Sequence, residues 1–255
     1  MPVDDSIAPE PLLPATPAPR GGRRQERVIA LLECVLCSSL PTQILIAGLL
    51  NAMGLSAQTA DKQLSLPFVL ALSIGDSVLL IVLMIALLRA HGDDPWTLWR
   101  GHRPLAREVA LGIGLVLVAV ALVGLLMGSV QAFAPWLRNV PTNPLEALAS
   151  GGPGDAVIFG VVAIVAGGIR EELQRAFLLQ RFERHLGGTA VGVVVLSTAF
   201  GLGHLLQGWD AAIATGILGA FWAIVYVKRR SSVAPIISHA GFNSLEVIRI
   251  AVAGS

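Results

Sequence analysis

The chain has 255 residues, of which 54% are hydrophobic and 14% charged, with a formal net charge of +1. A soluble domain usually carries about 25% charged residues, so this composition, with a mean hydropathy of +0.72, excludes an ordinary soluble globule and predicts an integral membrane protein. A near-neutral chain with its arginines in short clusters has no broad basic face, and nucleic acid is excluded as a partner.

Residues 1–27 contain six prolines and few large apolar groups, a composition that cannot bury enough surface to offset the entropy of ordering. They read as a disordered cytoplasmic tail ahead of a membrane domain over 28–255. Arg20, Arg23, Arg24 and Arg27 precede a long apolar run without a clear small-x-small site, the pattern of a retained signal anchor. Seven segments are long enough to span, near 28–53, 67–89, 107–134, 156–182, 189–208, 210–228 and 233–252. Pro41 interrupts the first and predicts a kink or a split, so the expected architecture is an all-α polytopic bundle of seven or eight helices. Lys and Arg gather in alternate loops: the tail, the Arg89 to Arg107 loop, the Arg181 and Arg184 turn and the Lys228-Arg229-Arg230 turn. By the positive-inside rule this places the N-terminus in the cytoplasm, and a plasma membrane is the expected location.

Cys34 and Cys37 lie in an apolar run and read as small buried side chains. Asp76, between Ser73 and Ser77, reads as a bundle hydrogen-bonding residue. Trp96, Trp99, Trp136 and Trp209 fall at span ends and read as interfacial anchors. The spacings Gly124 with Gly128 and Gly188 with Gly192 predict close helix packing. Asp210 reads as a helix N-cap, Glu246 with Arg249 as a local pair, and His91, His102 and His185 as solvated loop residues.

Three polar clusters stand inside apolar segments: Glu171 and Glu172 with Arg175, Phe200 with His204, and His239 with Asn243. Ionisable groups are costly in a bilayer, so each is a candidate functional residue. Arg175 follows the glutamates by four and three positions and can reach either; Phe200 with His204, and His239 with Asn243, each share a helix face. Adjacent glutamates point about 100° apart, so one faces a cavity while Arg175 holds the other. Rises of about 1.5 Å per residue put Glu171, His204 and His239 at depths within about 10 Å of each other, a spread that helix tilt can absorb. A desolvated carboxylate can act as general base, histidine can share the proton work, and an asparagine amide or protonated imidazole can donate to an oxyanion. No serine or cysteine stands in a nucleophile motif beside these groups, which favours direct attack by water over a covalent intermediate; no cofactor is expected. Glu171, His204 and His239 are also a possible zinc ligand set, although no H-E-x-x-H helix is present.

The three clusters resemble the motifs of the CAAX protease and bacteriocin-processing (Abi) family of intramembrane endopeptidases, which includes the Rce1-type CAAX prenyl proteases. The family pattern, paired glutamates with an arginine, then F-x-x-x-H, then H-x-x-x-N, reads here as Glu171-Glu172-Leu173-Gln174-Arg175, Phe200 to His204 and His239 to Asn243. The resemblance covers roughly the last 100 residues. It departs in the first motif, where two residues rather than three separate the second glutamate from Arg175 and Ala176 replaces the usual glycine. The resemblance implies Glu171 as the base that activates water with His204 assisting, His239 and Asn243 as oxyanion donors, and Glu172, Arg175 and Phe200 as positioning groups. It implies a peptide or protein substrate in the bilayer, with lipidated ones among the candidates. A proton-coupled secondary transporter and a non-catalytic bacteriocin-immunity or scaffold protein are the alternatives.

Overall fold

The computed structural model describes residues 20–141, 143, 148 and 152–253, and among these it is helical, with one isolated bridge between Gln58 and Leu64. Most of the tail expected to be disordered, residues 1–19, lies outside the described residues, while helix α1 (Arg20–Leu36) already includes Arg23, Arg24 and Arg27. The first apolar run is split, as Pro41 predicts. The chain turns at Ser39, whose φ is 71°, and α2 (Leu40–Ala52) restarts with the proline in its first turn, where its missing N–H leaves no hydrogen bond unmade. Helix α3 (Leu66–Ala90) begins at a Ser65 cap, and α4 (Pro95–Arg100) is capped by Asp94, which accepts from the Thr97 N–H at 2.8 Å. Helix α5 (Leu105–Phe133) closes the first half.

The second half starts with one long helix in three parts: α6 (Pro153–Val162), a π-helical segment (Ala163–Arg170) and α7 (Glu171–His185). Helices α8 (Thr189–Leu202), α9 (Trp209–Arg229) and α10 (Val233–Ala253) follow. Packing brings α10 against α5 and the π segment, and α8 against α7 and α9.

Four stretches are long and apolar enough to cross a membrane: Gly22–Ala52, Leu66–Ala90, Leu105–Phe133 and Trp209–Arg229. The other three expected spans are helical but do not reach that standard. With 14 residues, α8 is about 21 Å long against a hydrocarbon core of about 30 Å. Charged residues dilute α7, and His239, Asn243, Glu246 and Arg249 dilute α10. Of the motif helices, α8 is apolar but short, while α7 and α10 carry the charged and polar residues. Polarity is inverted relative to a soluble protein: Leu117 and Leu125 are 71% and 73% exposed, whereas Asp76, Glu108, Glu172 and Arg181 are buried. Apolar groups outward and charges inward suit a lipid solvent, and the chain is an integral membrane protein.

Several local expectations are corrected. A Cβ added at Gly124 or Gly128 would meet open space, so that pair packs against nothing; the same holds at Gly188, whereas at Gly192 it would lie 2.7 Å from Phe182 Cβ. Trp99 is no surface anchor, because its indole N–H donates to the Leu173 carbonyl of α7 at 3.0 Å. Asp210 sits inside the first turn of α9, whose N-cap is Gly208. His91 is 2.6 Å from Glu33 of α1, and His185 lies 3.8 Å from Glu26.

His91 belongs to an ionic cluster at one end of the bundle, where buried Arg181 meets Glu33 at 2.6 Å and Asp93 at 3.7 Å. Burial pushes the Asp93 carboxyl up, but its hydrogen bond to Arg184 at 2.6 Å and the charges of Arg184 and Arg181 together hold it below the usual carboxylate range. The Glu246 to Arg249 pair is formed as expected, at 2.9 Å.

Candidate active site

The site is built where α10 lies on the π segment. Two glycines allow the approach: a Cβ on Gly168 would fall 2.6 Å from Ala240 Cβ, and one on Gly167 would fall 2.5 Å from Asn243 Nδ2. π-helical turns occur frequently at functional sites. Here the Asn243 amide donates to the Ala163 carbonyl at 3.1 Å, tying α10 to the first residue of the π segment. A primary amide has two N–H donors, and this bond uses one.

One turn back along α10, His239 meets the paired glutamates. Its Nδ1 lies 2.8 Å from Glu172 Oε1, and its Nε2 lies 3.9 Å from Glu171 Oε2. Glu172 also accepts from Arg175 Nη1, and it is 1% exposed. The two glutamates are therefore in different situations. Glu172 is enclosed and neutralised, which burial of a charge requires; Glu171, with its side chain 18% exposed, faces His239 Nε2 on one side and Arg170 Nη2 at 3.7 Å on the other. Arg175 reaches one carboxylate only, the second, despite its shortened spacing.

Aromatic rings enclose the pair. Trp222 of α9 stacks on His239 with centroids 3.8 Å apart and planes 17° from parallel, and its N–H donates to Ser238 Oγ at 3.1 Å. The Arg175 guanidinium stands 4.9 Å from the Phe200 ring centroid and 5.9 Å from that of Trp222, a cation–π arrangement. Phe200 is edge-on to both imidazoles, 4.9 Å from His204 and 6.2 Å from His239. His204 follows the end of α8, and its Nδ1 is 2.8 Å from the Phe200 carbonyl. A carbonyl only accepts, so Nδ1 carries a proton and a neutral ring keeps its lone pair on Nε2.

The structure thus gathers Glu171, Glu172, Arg175, Phe200 and His239, sets Asn243 one turn along, and holds His204 beside Phe200. Among the described residues no hydrogen bond or ion pair joins His204 to either glutamate. Nor do any three His, Cys, Asp or Glu side chains among them form a group that could hold a metal ion, so Glu171, His204 and His239 as placed do not fit a zinc ligand set.

Sequence reasoning missed Trp222 and Arg170. Nothing in an apolar helix distinguishes a tryptophan that stacks on a histidine from one that faces lipid. Arg170 did carry a signal, being a charged residue at the end of the apolar run Val161 to Ile169.

An all-α membrane bundle with a buried carboxylate–imidazole site is the class of protein that fold and geometry define. Residues 153–245 match the family described as type II CAAX prenyl endopeptidase Rce1-like. That segment contains all three motifs, it is the part of the chain that the sequence resemblance covers, and the match implies a CAAX-protease-like peptidase. Neither the curated proteins nor the solved structures give a significant match to the chain.

Proposed function

We propose that the protein is an intramembrane endopeptidase in which Glu171 activates water for attack on a peptide carbonyl. The observation that carries this reading is the unequal treatment of the two glutamates: Glu172 is bonded to Arg175 and His239, while Glu171 faces His239 Nε2 at 3.9 Å. At that separation a water beside both groups can bridge them. Glu171 then takes the proton from the attacking water and delivers it to the departing amine. Glu172 accepts the Nδ1 proton of His239 and fixes the ring, so that Nε2, when protonated, is a donor to the developing oxyanion.

The second Asn243 N–H is a further donor toward that charge. His204, with Nε2 as its free lone pair when neutral, assists the proton transfer once substrate closes the site, since catalytic hydrogen bonds often tighten only in the complex. The substrate is a peptide or protein segment presented from the bilayer, and the family description makes a prenylated C-terminus the first one to try.

The test uses purified protein in liposomes with a quenched-fluorescent farnesylated peptide ending in Cys-aliphatic-aliphatic-X, together with mapping of new protein termini in cells. Glu171→Ala is expected to lower kcat by about 10²- to 10⁴-fold without changing insertion or folding. Wild-type turnover by Glu171→Ala, or proton-coupled solute flux without new termini, would sink the proposal in favour of an inert or transporting protein.

A further inference from the structure

The Rce1-like match begins at residue 153, yet a polar group from outside it reaches the site. Asp76 of α3 is fully buried; its Oδ1 accepts from Thr42 Oγ1, and its Oδ2 accepts from Gln43 Nε2 at 3.4 Å, both on α2. Across from it stands Arg170, the last residue of the π segment, which is itself buried. One guanidinium nitrogen, Nη2, lies 3.9 Å from Asp76 Oδ2 and 3.7 Å from Glu171 Oε1. The other, Nη1, donates to Gln174 Oε1 at 3.0 Å and to Ser39 Oγ at 3.2 Å. Gln174 is in turn fixed from the turn that follows α1, because its amide donates to the Cys37 carbonyl at 2.6 Å and to Ser39 Oγ at 3.1 Å.

We infer that Arg170, held by Asp76, Ser39 and Gln174, is the positioning residue of Glu171, and that helices outside the Rce1-like segment set the charge of the reactive carboxylate through it. The inference rests on the peptidase reading. Three features separate this role from simple helix glue. The pairing to Asp76 is longer than a hydrogen bond, and Asp76 is already satisfied by Thr42 and Gln43, so the arginine is not there to complete it. The nitrogen nearest Asp76 is also the one nearest Glu171, which places a single cationic group between two carboxylates in a low-dielectric setting. Arg175 is committed to Glu172, which leaves Arg170 and His239 as the cationic or cationisable groups that face Glu171 in an ion pair.

The test compares Arg170→Gln, Arg170→Lys, Asp76→Asn, the Arg170→Gln/Asp76→Asn double variant and Glu171→Gln on the farnesylated peptide in liposomes. Arg170→Gln removes the guanidinium that faces Glu171 and is expected to move the acidic limb of the kcat profile to higher pH with KM little changed. Arg170→Lys restores the charge and is expected to return the limb most of the way. The double variant is expected to be no slower than Arg170→Gln alone, because Asp76 acts through that arginine.

Glu171→Gln separates the two claims. If it cleaves at the wild-type rate, the peptidase reading fails and this inference with it. If it is inactive while Arg170→Gln keeps the wild-type pH profile, or while the two single losses multiply in the double variant, the positioning role alone is overturned. Should Arg170→Gln fail to fold, Arg170→Lys decides: an acidic limb displaced as far as complete loss of charge requires would contradict a role carried by charge.

Discussion

The helices before residue 153 and those after it solve different problems with the same solvent. Three of the four strongly apolar stretches lie in the first half, and each exposes large side chains outward, as Leu117 and Leu125 of α5 do. The second half places glutamate, arginine and histidine inside and keeps α8 short. Ionisable groups at membrane depth demand a partner, and every polar member of the second half's site has one. The lesson is a division of labour: the first half supplies lipid-facing surface and, toward the site, the polar arm Ser39–Thr42–Asp76, while the second supplies the chemistry.

Substitutions can break that contrast. The largest effect is expected from Glu172→Ala, which strands Arg175 and removes the partner of His239 Nδ1. Breaking a buried charged pair costs about 3–5 kcal/mol, read as a fall in thermal stability in detergent together with lost cleavage. Next comes Gly168→Val, which forces side-chain atoms into Ala240; overpacking of this kind costs about 1–3 kcal/mol, and lifting α10 off the π segment should depress kcat as well. A smaller effect is expected at the Glu183 to Arg230 pair, whose two hydrogen bonds measure 2.6 and 2.7 Å.

Arg230 hydrogen-bonds and charge-pairs with Glu183 and holds its carboxyl below the ordinary value, the effect of partial burial being outweighed. The stabilisation is therefore present above the ordinary carboxylate range and disappears as pH falls through the depressed value. Arg230→Gln should remove that pH dependence from melting curves below about pH 4.5, at a cost of less than about 1 kcal/mol for a half-exposed pair. The smallest effect sharpens the comparison from the other side. Gly124→Ala, on the lipid-facing α5, meets open space and should change stability by no more than about 0.5 kcal/mol.

Much of this arrangement was legible from residue types and spacing. Pro41 announced the break between α1 and α2, the apolar runs announced an all-helical membrane bundle, and i,i+4 logic placed His239 and Asn243 on one face of α10. That only one glutamate would pair with Arg175 followed from the 100° between neighbours on a helix. What stayed hidden depends on partners far along the chain. His91 looks like a loop histidine until Glu33, 58 residues away, is seen beside it. Small-x-x-x-small spacing states what may approach, not what does, which is why Gly192 packs closely and Gly124 does not. The segment 189–208 reads as one span on hydropathy, but the helix stops at Leu202 and a 3₁₀ turn (Leu205–Gln207) takes over. That stop sets His204 at the end of its helix rather than within it.

The π segment makes the active site sensitive to chain length in a way that no substitution reproduces. Because a π turn holds about one residue more than an α turn, removing one residue between Ala163 and Arg170 would let the segment close into plain α-helix while the helix on either side keeps its phase. Glu171 and Glu172 would still point toward His239, but the wide turn that Gly167 and Gly168 present to α10 would narrow. The same deletion made in α6, where no wide turn can absorb it, would rotate both carboxylates off His239 by about 100°.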